Sequence, residues 1–189
     1  MSRRFVLGLS IGLAFALQGC RADVAVQAAS PQVARQCLAS GLAALGPGLT
    51  LVSSRWTRAF IPADSGLGPV ASYTRMGKTV VRQAWAVMAA QEGRDVRAIV
   101  ADSLVLEAAD EELMKSAANP ALDWEALRAV RPGVVRVATL TWPVQAGDWV
   151  MIPYSLDCGY LCDRSGILVL KFAPEDGCTR SKNVVLAES

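Results

Sequence analysis

Between Val134 and Ala187 the chain carries four apolar runs: VVRVATLTW (134–142), DWVMIPYSL (148–156), GILVLKF (166–172) and SKNVVLA (181–187). The gaps between them are too short for the long crossover that a parallel connection needs, so the last third predicts an antiparallel meander. Turn chemistry sits at the gaps: Gln145-Ala146-Gly147, a cysteine-bearing stretch DCGYLCDRS (157–165), and Pro174-Glu175-Asp176-Gly177. Pro153, inside the second run, lacks a backbone donor and predicts an edge or a bulge there.

Upstream, Ser30-Pro31 predicts a helix start, with an N-cap followed by proline at the first helical position. Val33, Cys37, Leu38, Leu42 and Leu45 then recur at helical spacing until Gly46-Pro47-Gly48. Alternation of Val52, Ser54, Trp56, Arg58 and Phe60 predicts a strand, and residues 62–69 a loop. Residues 70–76 read as a further strand. So do 79–89, on Val80, Val81 and Val87, although the alanines and Gly93 also suit a helix. Residues 94–106 read as a strand running into Asp102-Ser103, a pair suited to a turn or a pocket wall. Short helices are expected over 107–118 and 121–130, the second stopped by Arg131-Pro132-Gly133. The sum is a single α+β domain over residues 31–189: an antiparallel sheet with two or three short helices on one face, stapled by disulfides.

The first twenty residues set the compartment. Arg3 and Arg4 precede an apolar run from Phe5 to Leu17, 13 residues long. That suits the core of a signal peptide and falls short of the roughly 20 residues that span a bilayer. The run ends in Leu17-Gln18-Gly19-Cys20, similar to a bacterial lipobox, in which the cysteine is lipidated and becomes the new N-terminus. Residues 1–19 are thus expected to be a signal peptide, Cys20 the lipidation site, and 20–30 a tether, with the protein held by its lipid in the periplasm or cell envelope. With Arg3 and Arg4 removed, 17 basic side chains face 17 acidic ones. No basic block remains of the kind that nucleic-acid binding needs.

Cysteine and histidine counts narrow the chemistry. If Cys20 carries lipid, Cys37, Cys158, Cys162 and Cys178 remain, an even number in an oxidising compartment. Four cysteines allow three pairings; nearness in sequence points to Cys158–Cys162, which leaves Cys37 for Cys178. A redox dithiol or a thiolate metal site at Cys158 and Cys162, aided by Asp157, Asp163 and Cys178, is the alternative. The chain has no histidine, which removes Ser-His-Asp and Cys-His catalysis and histidine acid–base chemistry. Carboxylate catalysis stays open. Asp110, Glu111 and Glu112 are candidates, but neighbours on a helix point in different directions, so a solvated face is expected. Trp56, Trp85, Trp124, Trp142 and Trp149 are scattered and read as packing before sugar stacking. Tyr154 and Tyr160 flank the cysteine turn and suggest a contact surface.

Three stretches, AIVADS (98–103), ALDWEALRAV (121–130) and WVMIPYSLDCGYLCDRSGILVLKF (149–172), are similar to exported bacterial proteins and lipoproteins of uncharacterised function. Those proteins carry a strand ending in Asp-Ser, short helices and a hairpin around Cys-Gly-x-Leu-Cys. Asp163 stands where they have glycine, and Cys178 where their closing strand often starts with tryptophan. The resemblance implies a fold type and an exported setting only, and no functional residue carries across from it; no catalytic residue and no cofactor are expected. The expected function is a non-enzymatic interaction or structural module of the envelope, with an envelope protein or the cell wall as partner. The alternatives are an envelope hydrolase using carboxylates and a thiol-redox or metal-handling protein.

Overall fold

A computed structural model describes residues 24–53, 66–107, 110, 123–159 and 164–188. Its strands are β1 (Val26–Ala28), β2 (Leu49–Ser53), β3 (Val105–Leu106), β4 (Val134–Leu140), β5 (Val144–Ala146), β6 (Trp149–Asp157), β7 (Arg164–Ala173) and β8 (Gly177–Glu188). Its α-helices are α1 (Pro31–Ala44), α2 (Leu67–Thr74), α3 (Lys78–Ala90) and α4 (Trp124–Val130). The fold is α+β, around one eight-stranded, mostly antiparallel sheet.

The meander forms as the turn spacing predicts: β4 and β5 pair with β6, β6 with β7, and β7 with β8, all antiparallel. Parallel pairing enters upstream, where β2 lies between β3 and β4 and runs parallel to both. Helices occupy the connections from β2 to β3 and from β3 to β4, as parallel crossovers require. Pro153 is not at an edge, because β6 is paired on both sides. It sits where β6 passes from pairing with β4 to pairing with β5. Leu140 faces Tyr154 and Val144 faces Met151, so the connection from β4 to β5 takes one residue more than β6 across this interval. Thr141 N–H donates to the Pro153 carbonyl at 3.1 Å. The missing proline N–H points to the same side, where the neighbouring strand is interrupted.

Helices cover both faces of the sheet, not one. Val150, Ile152, Tyr154 and Leu156 of β6 and Leu168 and Leu170 of β7 pack with α1. The alternate residues Met151, Ile167 and Val169 pack with α2 and α3 on the other face. Burial on both faces is why β6 and β7 read as nearly unbroken apolar runs. A smaller cluster of Leu51, Leu106, Val134 and Val137 packs against Trp124 and Leu127 of α4.

Local chemistry starts these helices. Ser30 Oγ accepts from Val33 N–H at 3.3 Å with Pro31 next in line, and Asp123 accepts from the N–H groups of Glu125 and Ala126, both at 3.0 Å. Gly41 lets α1 approach the sheet: a Cβ there would meet Leu168 Cδ1 at 3.1 Å.

Four expectations change. Residues 70–74 and 79–89 are helical, in α2 and α3; in α3 the buried set Val81, Ala84, Trp85 and Met88 has helical spacing and outweighs the β-branched residues. Residues 94–106 form two 3₁₀ turns, Val96–Ile99 and Asp102–Leu104, before the short β3; Asp95 caps the first by accepting from Arg97 N–H at 2.9 Å. Gln145 and Ala146 belong to β5, and the turn follows at Gly147 and Asp148. Val26–Ala28, expected in the tether, is an edge strand on β5, with Ala29 N–H donating to the Pro143 carbonyl. The strand expected through Phe60 is described only to Ser53, and of the helix expected over 107–118 only Asp110 lies beyond Glu107 among the described residues. Among the described residues no helix is long and apolar enough to cross a membrane.

Candidate functional site

The cysteines serve two separate places. Cys37, fully buried on α1, is bonded to Cys178 at the start of β8, with Cα atoms 5.0 Å apart. Cys158, just after β6, is also disulfide-bonded. Cys20, Cys162, Asp163 and Tyr160 lie outside the described residues. Engagement of Cys178 with Cys37 removes it from any thiolate set around Cys158. Asp157 is also engaged: its Oδ1 accepts from Trp124 Nε1 at 3.1 Å and from Gly159 N–H at 3.0 Å. This corner is built as a braced turn against α4.

The tryptophans divide. Trp85, Trp124 and Trp142 are buried, as packing predicts. Trp56, Glu111 and Glu112 are outside the described residues, and Asp110 is half-buried. Tyr154 is fully buried and donates through its hydroxyl to Asn183 Oδ1, so it is no contact surface. Trp149 remains half-buried.

A cleft of about 420 Å³ lies between α1 and the 3₁₀ turns, where Asp102 forms part of the wall. Its two arginines are engaged within the fold. Arg35 donates to the Ala98 carbonyl at 2.9 Å. Arg97 forks onto the Asp95 carboxylate, with its closest contact at 2.6 Å. The Arg97 side chain and backbone N–H hold the Asp95 carboxyl below the usual carboxylate range, and the ion pair raises the guanidinium in return.

The opposite face carries a larger groove, about 650 Å³, between the end of α2 and the β6–β8 surface. Its lining includes Ser72, Tyr73 and Arg75 from α2 and its cap, Trp149 from β6, Lys171 from β7 and Lys182 from β8. The register explains the grouping. Trp149 is opposite Lys171, and Lys182 is opposite Val169, one side-chain step along the same face. The sheet thus sets one aromatic ring and two ammonium groups side by side. Tyr73 meets Trp149 edge to face, with centroids 5.5 Å apart at 63°, and Lys182 Nζ lies 5.0 Å from the Tyr73 ring centroid. Among the described residues, Arg75, Lys171 and Lys182 make no ion pair, and no carboxylate lines the groove.

Arg75 ends α2 in the left-handed region, φ 60° and ψ 17°, the one non-glycine residue there among those described. Thr74 makes the bend: its hydroxyl donates to the Val70 carbonyl at 2.8 Å and accepts from Met76 N–H at 3.3 Å. The groove can hold an anion electrostatically and flank it with an aromatic wall. Comparison with known proteins finds no matching family model, no similar curated protein and no similar solved structure.

Proposed function

We propose that the chain is an exported interaction module of the bacterial envelope, lipid-anchored through Cys20 and non-enzymatic, which holds an anionic partner in the groove between α2 and the β6–β8 surface. Export is supported by the positive n-region, the 13-residue apolar run and the Gly19-Cys20 junction. The disulfide Cys37–Cys178 suits an oxidising compartment. The observation that carries binding is the convergence of Arg75, Lys171 and Lys182 on one groove with no lining carboxylate among the described residues. Like charges gathered without a counter-charge repel one another, and an anionic partner relieves that repulsion.

Sedimentation with bacterial envelope fragments tests the binding. Protein made without its lipid, from residue 21 onward and with its disulfides intact, pellets with the fragments, the more weakly as salt rises, and Lys171→Gln/Lys182→Gln in the same form stays in the supernatant. Equal pelleting of the variant, or pelleting indifferent to salt, overturns the groove's role. Labelling with palmitate tests the anchor: the label is lost in Cys20→Ser, globomycin blocks processing to the mature chain, and an unlabelled mature chain overturns lipidation.

A further inference from the structure

We infer that the groove takes a phosphorylated saccharide; this rests on the binding role just proposed and adds the chemistry of the occupant. Three cations reach the groove from three elements: Arg75 from the end of α2, Lys171 from β7 and Lys182 from β8. A planar carboxylate is satisfied by one guanidinium fork. A phosphate monoester presents three strong acceptor oxygens and nearly two charges, which suits one fork plus two ammonium groups.

The groove volume of about 650 Å³ far exceeds one phosphate group, which leaves room for a ligand larger than its anion. Lys182 already covers Tyr73, which leaves half-buried Trp149 bordering the remaining space beside Ser72. An aromatic wall with a hydroxyl next to it suits a sugar ring, apolar on its face and polar at its rim. The lining is too polar for an acyl chain. The backbone of Arg75 agrees. Glycine adopts φ 60° freely, whereas this chain places an arginine there, and its side chain lines the groove.

Isothermal titration of the mature, disulfide-intact protein with glucose 1-phosphate, glucose and inorganic phosphate tests this. Glucose 1-phosphate binds saturably and at least about tenfold tighter than either fragment. Arg75→Gly weakens that binding at least about tenfold while its thermal midpoint holds or rises, so lost binding is separated from lost folding. Equal affinity for glucose 1-phosphate and inorganic phosphate, or no effect of Arg75→Gly, overturns the inference. Vesicles of phosphatidylcholine carrying a phosphorylated glycolipid then identify the source. Displacement of glucose 1-phosphate by the vesicles places the saccharide on a membrane surface, and saturable binding without displacement places it in solution. Retention on envelope fragments with no saturable sugar-phosphate binding overturns the inference and leaves the groove's role in place.

Discussion

Cys37, in the middle of α1, is joined to Cys178 at the start of β8, across 141 positions of sequence. The bond ties the first long helix to the β7–β8 hairpin over the sheet face where Leu38, Leu42, Leu168 and Leu170 pack. Closing so long a loop removes a large share of the unfolded chain's freedom. Cys37→Ala/Cys178→Ala is expected to lose about 2–5 kcal/mol of unfolding free energy. Denaturant titration of oxidised wild type against the variant measures it; a midpoint unchanged by the substitution would show that packing alone holds α1.

Gly166 gives Tyr154 its place. A Cβ on Gly166 would lie 2.5 Å from the Val184 carbonyl oxygen and 2.7 Å from the Tyr154 hydroxyl, the group that donates to Asn183. Backbone and a buried ring cannot both move aside cheaply. Gly166→Ala is expected to destabilise by about 1–3 kcal/mol or more, read by thermal unfolding. A neutral result would mean that β7 and β8 separate more readily than their register implies.

Two buried tryptophans should respond differently to the same change. Trp142 Nε1 donates to the Ala29 carbonyl at 2.9 Å, where β1 turns into α1, and the Arg94 guanidinium lies 3.5 Å from its ring centroid. Trp85 Nε1 is buried with no hydrogen-bond partner among the described residues. Trp142→Phe leaves a buried carbonyl short of a donor and is expected to cost about 1–3 kcal/mol more than Trp85→Phe. In Trp85→Phe, relief of the orphan donor offsets part of the lost packing. Chemical denaturation of both variants checks the order.

The Asp95–Arg97 pair gives a small pH dependence of defined sign. Hydrogen bonds from Arg97 depress the Asp95 carboxyl in the folded state. Its contribution is therefore present above the unfolded value of about 3.9 and is lost as pH falls through the lower folded value. The pair is exposed, so salt screens it. A carbon-13 titration of the Asp95 carboxyl is expected to move upward in Arg97→Ala; no movement would refute the pairing.

The meander was legible because its turn spacing and apolar runs admit one solution, and the Ser30-Pro31 start of α1 because capping is local. The errors share a cause. In 70–76 and 79–89 the β-branched residues Val70, Val80, Val81 and Val87 were weighed above the alanines, yet the buried alanines at positions 71 and 84 belong to the helical spacing. Placing helices on one face followed from reading the sheet as wholly antiparallel. The parallel pairs β2–β3 and β2–β4 require crossovers, and these cover the second face.

The groove was invisible for a different reason. Arg75 lies about a hundred residues from Lys171 and Lys182, and only the α2 bend and the β7–β8 register bring the three together. Trp149 was taken as packing with the other tryptophans, and nothing local in its sequence marks it as half-buried.

The most direct measurement is the nitrogen-15 NMR spectrum of the mature, disulfide-intact protein as solubilised envelope extract is added. The indole N–H of Trp149 and the amides of Ser72–Arg75, Lys171 and Lys182 are expected to shift together, while the indole of Trp142, hydrogen-bonded to Ala29, stays in place. Shifts confined to the α1 cleft around Arg35 and Arg97, or a spectrum that does not change, would contradict the groove as the binding face.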